Sequence, residues 1–309
     1  MLAVVFPGQG SQSPGMGKAI YEASEAARRV FNQVEESVGT DMRALCFDSD
    51  DETLRQTRNA QLALYAVGVA CYSALVEAAP DLPVKGAAGH SVGEYAALGA
   101  AGWFEIGDGA ALVQRRGELM SSAGSVRPGG MAAVLGLDRD AVERVCSEVD
   151  GVCVVANDNC PGQLVVSGDK AAIDACAEPL KAAGAKRVLP LNVSGAFHSP
   201  LMEESATSMG VVLQGAEFLT GKMPVYSNVT AKPGDDWPGL LEEQLRKPVK
   251  WTETINQMVN DGFTQFIECG NGNVLAGLIR RTNRDIQVCS VGDPESLASA
   301  LETVREASK

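Results

Sequence analysis

Ser91 lies in Gly89-His90-Ser91-Val92-Gly93, a G-x-S-x-G pattern between the apolar pair Ala87-Ala88 and the helix-forming run Glu94-Tyr95-Ala96-Ala97-Leu98. A serine on a tight strand-to-helix turn has its hydroxyl lifted clear of the sheet, and glycines two residues to either side let neighbouring backbone pass without Cβ clashes. The helix that follows offers unpaired N–H groups and the positive end of its dipole, which suit a developing oxyanion. The chemistry expected of such a serine is nucleophilic acyl transfer, with a purely structural turn as the alternative.

Serine becomes a useful nucleophile only when a base takes its proton, and imidazole is the usual base near neutral pH. The chain has two histidines. His90 adjoins Ser91, and consecutive residues on an elbow tend to point apart, so His198 is the candidate base; a packed loop histidine is its alternative reading. It sits in Gly195-Ala196-Phe197-His198-Ser199-Pro200, where Ser199 is a plausible N-cap and Pro200 suits the first helical position. An acidic residue should orient the imidazole, yet none between Ser91 and His198 stands out, since Asp138, Asp169 and Asp174 flank strands of a different unit. A backbone carbonyl taking the Nδ1 hydrogen would serve instead.

Helical phase singles out one arginine. Over residues 106–122 the apolar stripe is Ile106, Ala110, Val113, Gly117 and Met120. At 100° per residue, Arg116 is about 60° from Val113 and about 40° from Met120, whereas Arg115 is about 160° from Val113. Arg116 thus borders the buried face and Arg115 faces water. A guanidinium there needs an anion, either a substrate carboxylate held through two parallel hydrogen bonds or an internal Asp or Glu.

The loop Phe6-Pro7-Gly8-Gln9-Gly10-Ser11-Gln12 follows the first strand. It fails the dinucleotide G-x-G-x-x-G, because position 13 is serine, and no P-loop pattern occurs. Beside the elbow it could supply an oxyanion N–H.

These residues must be positioned by an α/β framework. Strand 3–6, helices over 19–38 and 62–78, the strand before the elbow and helix 106–122 alternate in α/β order. From about residue 130 the pattern changes to strand 131–137, helix 139–148, strands 152–156 and 163–167, helix 170–183 and strand 186–191, a βαββαβ order that reads as ferredoxin-like. Strand 225–226, helix 252–261, strand 263–268 and helix 274–281 return to α/β. The expected architecture is a large α/β-hydrolase-like domain with a mostly parallel sheet, residues 1–127 and 193–309, carrying an inserted ferredoxin-like small domain, residues 128–192. A cleft between the two would hold the ligand.

Composition narrows the function classes. The formal net charge of −13, with no sustained Lys/Arg block, argues against binding nucleic-acid phosphates. The opening residues lack a basic stretch and a signal-like apolar run, and no run approaches membrane-span length, so a cytoplasmic protein without a membrane partner is expected. The eight cysteines lack a C-x-x-C pair and read as reduced core thiols. Cys146, Cys153 and Cys160 recur every seventh residue, but they fall on a predicted helix, strand and loop, so no metal is expected.

Taken in order, Gly8-Gln9-Gly10-Ser11-Gln12, the serine motif through Glu94-Tyr95, Arg116-Gly117, Asn159-Cys160-Pro161-Gly162-Gln163, Gly195-Ala196-Phe197-His198-Ser199, and Gln244-Leu245 with Pro248-Val249 and Trp251 resemble the malonyl-CoA:acyl carrier protein transacylase family, essentially end to end. The resemblance implies Ser91 as nucleophile and His198 as its base. It further implies an oxyanion hole from the Gln9 and Val92 N–H groups, Arg116 as clamp for the malonyl carboxylate, and the Gln244 carbonyl as the group orienting His198. Phe197 is similar to the malonyl-selective pattern of related polyketide acyltransferase domains. The resemblance also implies malonyl-CoA and acyl carrier protein as partners, no cofactor, a monomer and a role in fatty acid synthesis. Gly270-Asn271-Gly272 departs from the family, which usually has proline in the middle; the effect expected is on loop stiffness, hardly on chemistry. The main rival is a serine hydrolase, an esterase or patatin-like lipase, which would require an acidic triad partner and have no use for Arg116.

Overall fold

Strand β1 (Leu2–Phe6) is buried at every position, which requires cover on both faces and therefore the centre of a parallel sheet. The computed structural model describes residues 1–126, 128–193 and 195–306. In it β1 pairs in parallel with β2 (Val84–Gly89) on one side and β8 (Gln265–Cys269) on the other. Strands β7 (Val225–Tyr226) and β9 (Gln287–Val291) complete the order β7-β2-β1-β8-β9, all neighbours parallel. Strand β9 and the helix after it, α13 (Pro294–Glu306), lie beyond the last element expected from the sequence.

The helix expected over 19–38 is two helices, α1 (Lys18–Ala23) and α2 (Glu25–Val38). Ser24 breaks it: its backbone is extended, and its hydroxyl accepts the Ala27 N–H at 3.0 Å, capping α2. Helix α4 (Thr57–Ala78) corrects a second expectation. It has the length and apolarity to cross a membrane, yet 78% of its most apolar window is buried, and it packs against α2 and α6 (Ile106–Val126) as a core helix.

The second sheet is antiparallel. Strands β3 (Gly129–Leu135), β4 (Cys153–Cys160), β5 (Gln163–Asp169) and β6 (Arg187–Pro190) take the order β4-β5-β3-β6. Helices α7 (Arg139–Ser147) and α8 (Lys170–Ala182) pack Val142, Val145, Ile173 and Leu180 onto Val134, Val155 and Val166. Of the boundaries expected for this unit, residue 127 lies outside the described residues. Strand β4 runs to Cys160 rather than ending at 156, so Cys160 is strand and not loop. The extension has a partner in the other unit: Asp158 N–H donates to Val249 O at 3.0 Å, and Val249 N–H donates to Ala156 O at 2.9 Å. The molecule is thus α/β, with a parallel sheet and an antiparallel sheet stitched together along β4.

The elbow sits at the carboxyl end of β2, before α5 (Gly93–Ala101). Ser91 has φ 53°, a left-handed conformation that costs a non-glycine residue about 1–2 kcal/mol. A Cβ on Gly89 would lie 1.9 Å from Gly93 backbone, and one on Gly93 would lie 2.1 Å from Phe6 O. These are backbone collisions that no rotamer relieves. Gly93→Ala is therefore expected to destabilise the protein by about 3 kcal/mol. Gly277→Ala in α12 (Val274–Thr282), where a Cβ meets nothing within 4 Å, should be neutral or stabilising by up to about 1 kcal/mol. Urea unfolding of both variants checks the contrast.

Candidate active site

Ser91 Oγ and His198 Nε2 are 2.7 Å apart, across 107 residues of sequence. His198 also has a left-handed backbone, φ 56°. Its position comes from the end of α10 (Trp237–Gln244), where carbonyls lack intrahelical partners. Leu245 O accepts the His198 backbone N–H at 3.1 Å, and Gln244 O lies 2.7 Å from Nδ1. Because a carbonyl only accepts, Nδ1 carries the proton and Nε2 presents its lone pair to the serine hydroxyl. Asp138, Asp169 and Asp174 are engaged elsewhere, with the Ala141 N–H, the Val152 N–H and Lys170 respectively. Burial, and next the Arg116 charge, lower the His198 pKa to about 3.

Arg116 has no exposed surface, going beyond the buried edge that helical phase predicts, while Arg115 is exposed and pairs with Glu118. Arg116 Nη1 donates to Gln61 Oε1 at 2.7 Å, and Nη2 donates to Gln244 Oε1 at 2.8 Å and to Ser91 Oγ at 3.1 Å. Its carbon centre lies 5.6 Å from the Tyr95 ring centroid. The Nε–H is buried without an acceptor, and among the described residues no carboxylate comes within ion-pair distance of Arg116. The internal salt bridge that was the alternative for this residue is absent there.

The loop after β1 reaches the elbow because Gly8 has no side chain: a Cβ there would sit 2.5 Å from His90 O. Gln9 follows it, its side chain 3.5 Å from Thr57 Oγ1. Among the described residues, neither the Gln9 N–H nor the Val92 N–H is taken by a protein acceptor. Asn271 does more than stiffness alone would suggest, since its Nδ2 donates to Ser11 O at 2.7 Å and to Ser13 Oγ at 3.0 Å, gripping the same loop. Phe197 is buried in the main core beside the base.

His90 is placed away from the serine hydroxyl: Nε2 is 2.8 Å from Asn159 Oδ1, and the ring tilts against Trp251. The cysteines are free thiols. Cys146 Sγ and Cys153 Sγ are 3.3 Å apart, whereas Cys160 belongs to another core cluster. Among the described residues no cluster of three or more His, Cys, Asp or Glu side chains is arranged to hold a metal ion.

Three buried residues beneath the site escaped the sequence reading. Asn228 Oδ1 accepts the Ser91 N–H at 2.8 Å, and its Nδ2 donates to Gly89 O at 2.6 Å, locking the elbow from below. Glu94 accepts from the Asn228 N–H at 2.7 Å and from Gln244 Nε2. Gln61 holds Arg116. Two left a trace in the sequence: Asn228 is a polar residue just past a buried strand, and Glu94 is a lone carboxyl at the start of an apolar run.

A cavity of about 390 Å³ opens onto His198 between the units, lined by Val154 and Val155 of β4 and by Pro200, Arg246 and Lys247. An elbow serine, an imidazole oriented by a main-chain carbonyl, two free N–H groups and a buried cation form a site suited to acyl transfer from an acid-bearing acyl group.

The chain is similar to known proteins over nearly its whole length. The acyl transferase domain family matches residues 3–300. The malonyl CoA-acyl carrier protein transacylase of Bacillus subtilis (strain 168) is 42% identical over 313 residues, covering 99% of this chain and 98% of that protein. The acyl-carrier-protein-S-malonyltransferase structure from Bartonella henselae superposes with a TM-score of 0.94 at 40% identity, covering 98% of this chain and 99% of that one. A malonyl-transacylase solved in complex with its type II PKS acyl-carrier protein gives a TM-score of 0.93 at 38% identity, with 98% and 99% covered. The chain belongs to the acyl transferase family, among the malonyl-CoA:acyl carrier protein transacylases.

Proposed function

We propose that this protein transfers the malonyl group from malonyl-CoA to the phosphopantetheine thiol of acyl carrier protein, through a malonyl ester on Ser91. The observation that carries the reading is a fully buried Arg116 with no carboxylate partner among the described residues, donating to a hydroxyl that lies 2.7 Å from an imidazole. A serine hydrolase would have no use for that cation.

In the first half-reaction His198 Nε2 takes the Ser91 proton as Oγ attacks the thioester carbonyl. The Gln9 and Val92 N–H groups hold the oxyanion, each contributing about 3 kcal/mol to barrier lowering. The intermediate collapses with cleavage of the C–S bond, and coenzyme A leaves with the proton returned by His198. In the second half, the carrier thiol gives its proton to His198 and attacks the ester, and Ser91 Oγ departs reprotonated. The order is ping-pong. Negative carbonyls at the end of α10 stabilise the transient imidazolium, so no carboxylate is needed behind it. Arg116 holds the malonyl carboxylate and disfavours acetyl, which would leave a buried guanidinium unpaired. Phe197 next to the base fills space that a branched malonyl unit would need.

The reading extends to organisation. The strand order β4-β5-β3-β6 with two helices on one face supports a ferredoxin-like insertion at residues 128–192 in an α/β-hydrolase-like domain. The protein works without a cofactor, as a cytoplasmic monomer in fatty acid synthesis, away from nucleic acid and membrane.

Intact mass spectrometry tests the proposal. Malonyl-CoA should leave a stable adduct that Ser91→Ala abolishes and that moves to added carrier protein; release to water without transfer would favour a hydrolase. Arg116→Ala should reduce malonyl-CoA use by about 100-fold while changing acetyl-CoA use far less, and equal losses would count against the clamp. The lowered His198 pKa adds a pH dependence. Below about pH 6.5 the unfolded chain binds a proton at this residue that the folded chain refuses, so the residue's contribution to stability falls with falling pH. The stability gap between wild type and His198→Asn, a replacement that tolerates the left-handed backbone, should therefore narrow by about 1.4 kcal/mol per pH unit between about pH 6 and pH 4. Opposing groups such as Glu94, which burial pushes up to about 8, are common to both proteins and cancel in the comparison of urea unfolding curves.

A further inference from the structure

Gln244 enters the proposed mechanism only through its main-chain carbonyl, yet its side chain is wholly buried and fully committed. The amide nitrogen faces three acceptors: Ser91 O at 3.0 Å, a Glu94 carboxyl oxygen, and Asn228 Oδ1 at 3.5 Å. The amide oxygen faces Arg116 Nη2 at 2.8 Å. Only one orientation of the amide satisfies these neighbours, because the other would aim two N–H donors at a guanidinium. Glu94 enforces that orientation. It has no exposed surface, accepts the Asn228 N–H through one oxygen and the Gln244 amide through the other, and is part of neither the nucleophile nor the base.

We infer that Glu94 is a positioning residue for substrate selection: it locks the Gln244 side-chain amide, which in turn aims Arg116 at the acid end of the acyl group. The inference rests on the transacylase reading and assigns to the helix after the elbow a part in choosing a carboxylated acyl chain. Glu94→Gln keeps the volume but replaces an oxygen, which has lone pairs to accept with whether the carboxyl is ionised or protonated, with an NH2 that only donates, so either Asn228 N–H or the Gln244 amide loses its partner. A flipped Gln244 amide then repels the Arg116 guanidinium. Gln244→Met removes the amide while leaving the main-chain carbonyl against His198 in place.

The experiment compares acylation of Ser91 by malonyl-CoA and by acetyl-CoA, and labelling of Ser91 by a small neutral fluorophosphonate, which reads the serine–histidine pair without the clamp. Glu94→Gln and Gln244→Met are each expected to lower kcat/KM for malonyl-CoA by about 10- to 100-fold, mostly through KM. For Glu94→Gln, acetyl-CoA acylation and fluorophosphonate labelling should stay within about 3-fold of wild type. The double variant should be no worse than the more damaged single variant, because both act on one amide. Equal losses with both thioesters and the fluorophosphonate, or an unchanged malonyl-to-acetyl ratio, would overturn the inference. If Glu94→Gln does not fold, the malonyl-to-acetyl ratio measured for Gln244→Met decides the matter. Wild type settles the parent reading separately, since a wild type that forms no malonyl adduct defeats the transacylase itself, whereas an active wild type with unselective variants defeats only the role of Glu94.

Discussion

A guanidinium withdrawn from water, with no carboxylate of the described residues at ion-pair distance, is the constraint around which this site is built. Stranding a charge in a protein interior costs several kcal/mol unless hydrogen bonds replace the water it lost. Here the replacements are neutral: the amide oxygens of Gln61 and Gln244, the serine hydroxyl and the face of Tyr95. The acid of the network, Glu94, acts on the cation at a distance and is linked to it by hydrogen bonds through Gln244. Neutral support leaves the charge uncancelled, so an entering carboxylate meets an attractive field in a dry environment. Burial first, and the same field next, hold the neighbouring imidazole neutral, which leaves its Nε2 lone pair facing the serine.

The serine and histidine depend on helix ends rather than on a third side chain. Ser91 stands just before α5, whose N-cap residue Val92 has an N–H without a protein acceptor among the described residues, and His198 rests against the last carbonyls of α10. One helix end favours the negative charge of the proposed oxyanion, and the other favours the positive charge of the proposed imidazolium. Both residues hold left-handed backbones, and both are fixed by hydrogen bonds to segments far away in sequence, Ser91 through Asn228 and His198 through Leu245. The strain is maintained because several independent contacts over-determine the same geometry.

Much of the framework was legible in the residues. The parallel core strands show as short apolar runs, the antiparallel unit shows as strand and helix patterns in βαββαβ order, and the elbow is marked by glycines whose side chains would strike backbone. The misplacements have local causes. The helix expected over 19–38 breaks at Ser24, where a hydroxyl captures a backbone N–H within an otherwise helical apolar pattern. Strand β4 continues through Asn157, Asp158 and Asn159, polar residues with poor strand propensity, because β5 pairs with it on one side and residue 249 supplies a backbone partner on the other.

Residue type and spacing by themselves determined that a serine would stand on a sharp turn, that one of two histidines was free to serve it, and that Arg116 would lie on the buried side of its helix. These are local properties, set by glycine sterics and by the 100° step of an α-helix. Which acceptor orients the histidine, what surrounds the arginine, and that Gln61, Glu94, Asn228 and Gln244 converge beneath the serine were decided only when the chain closed. Hydrogen bonds between residues 46 to 150 positions apart leave no periodic trace in a sequence, because direction and distance in space are products of packing.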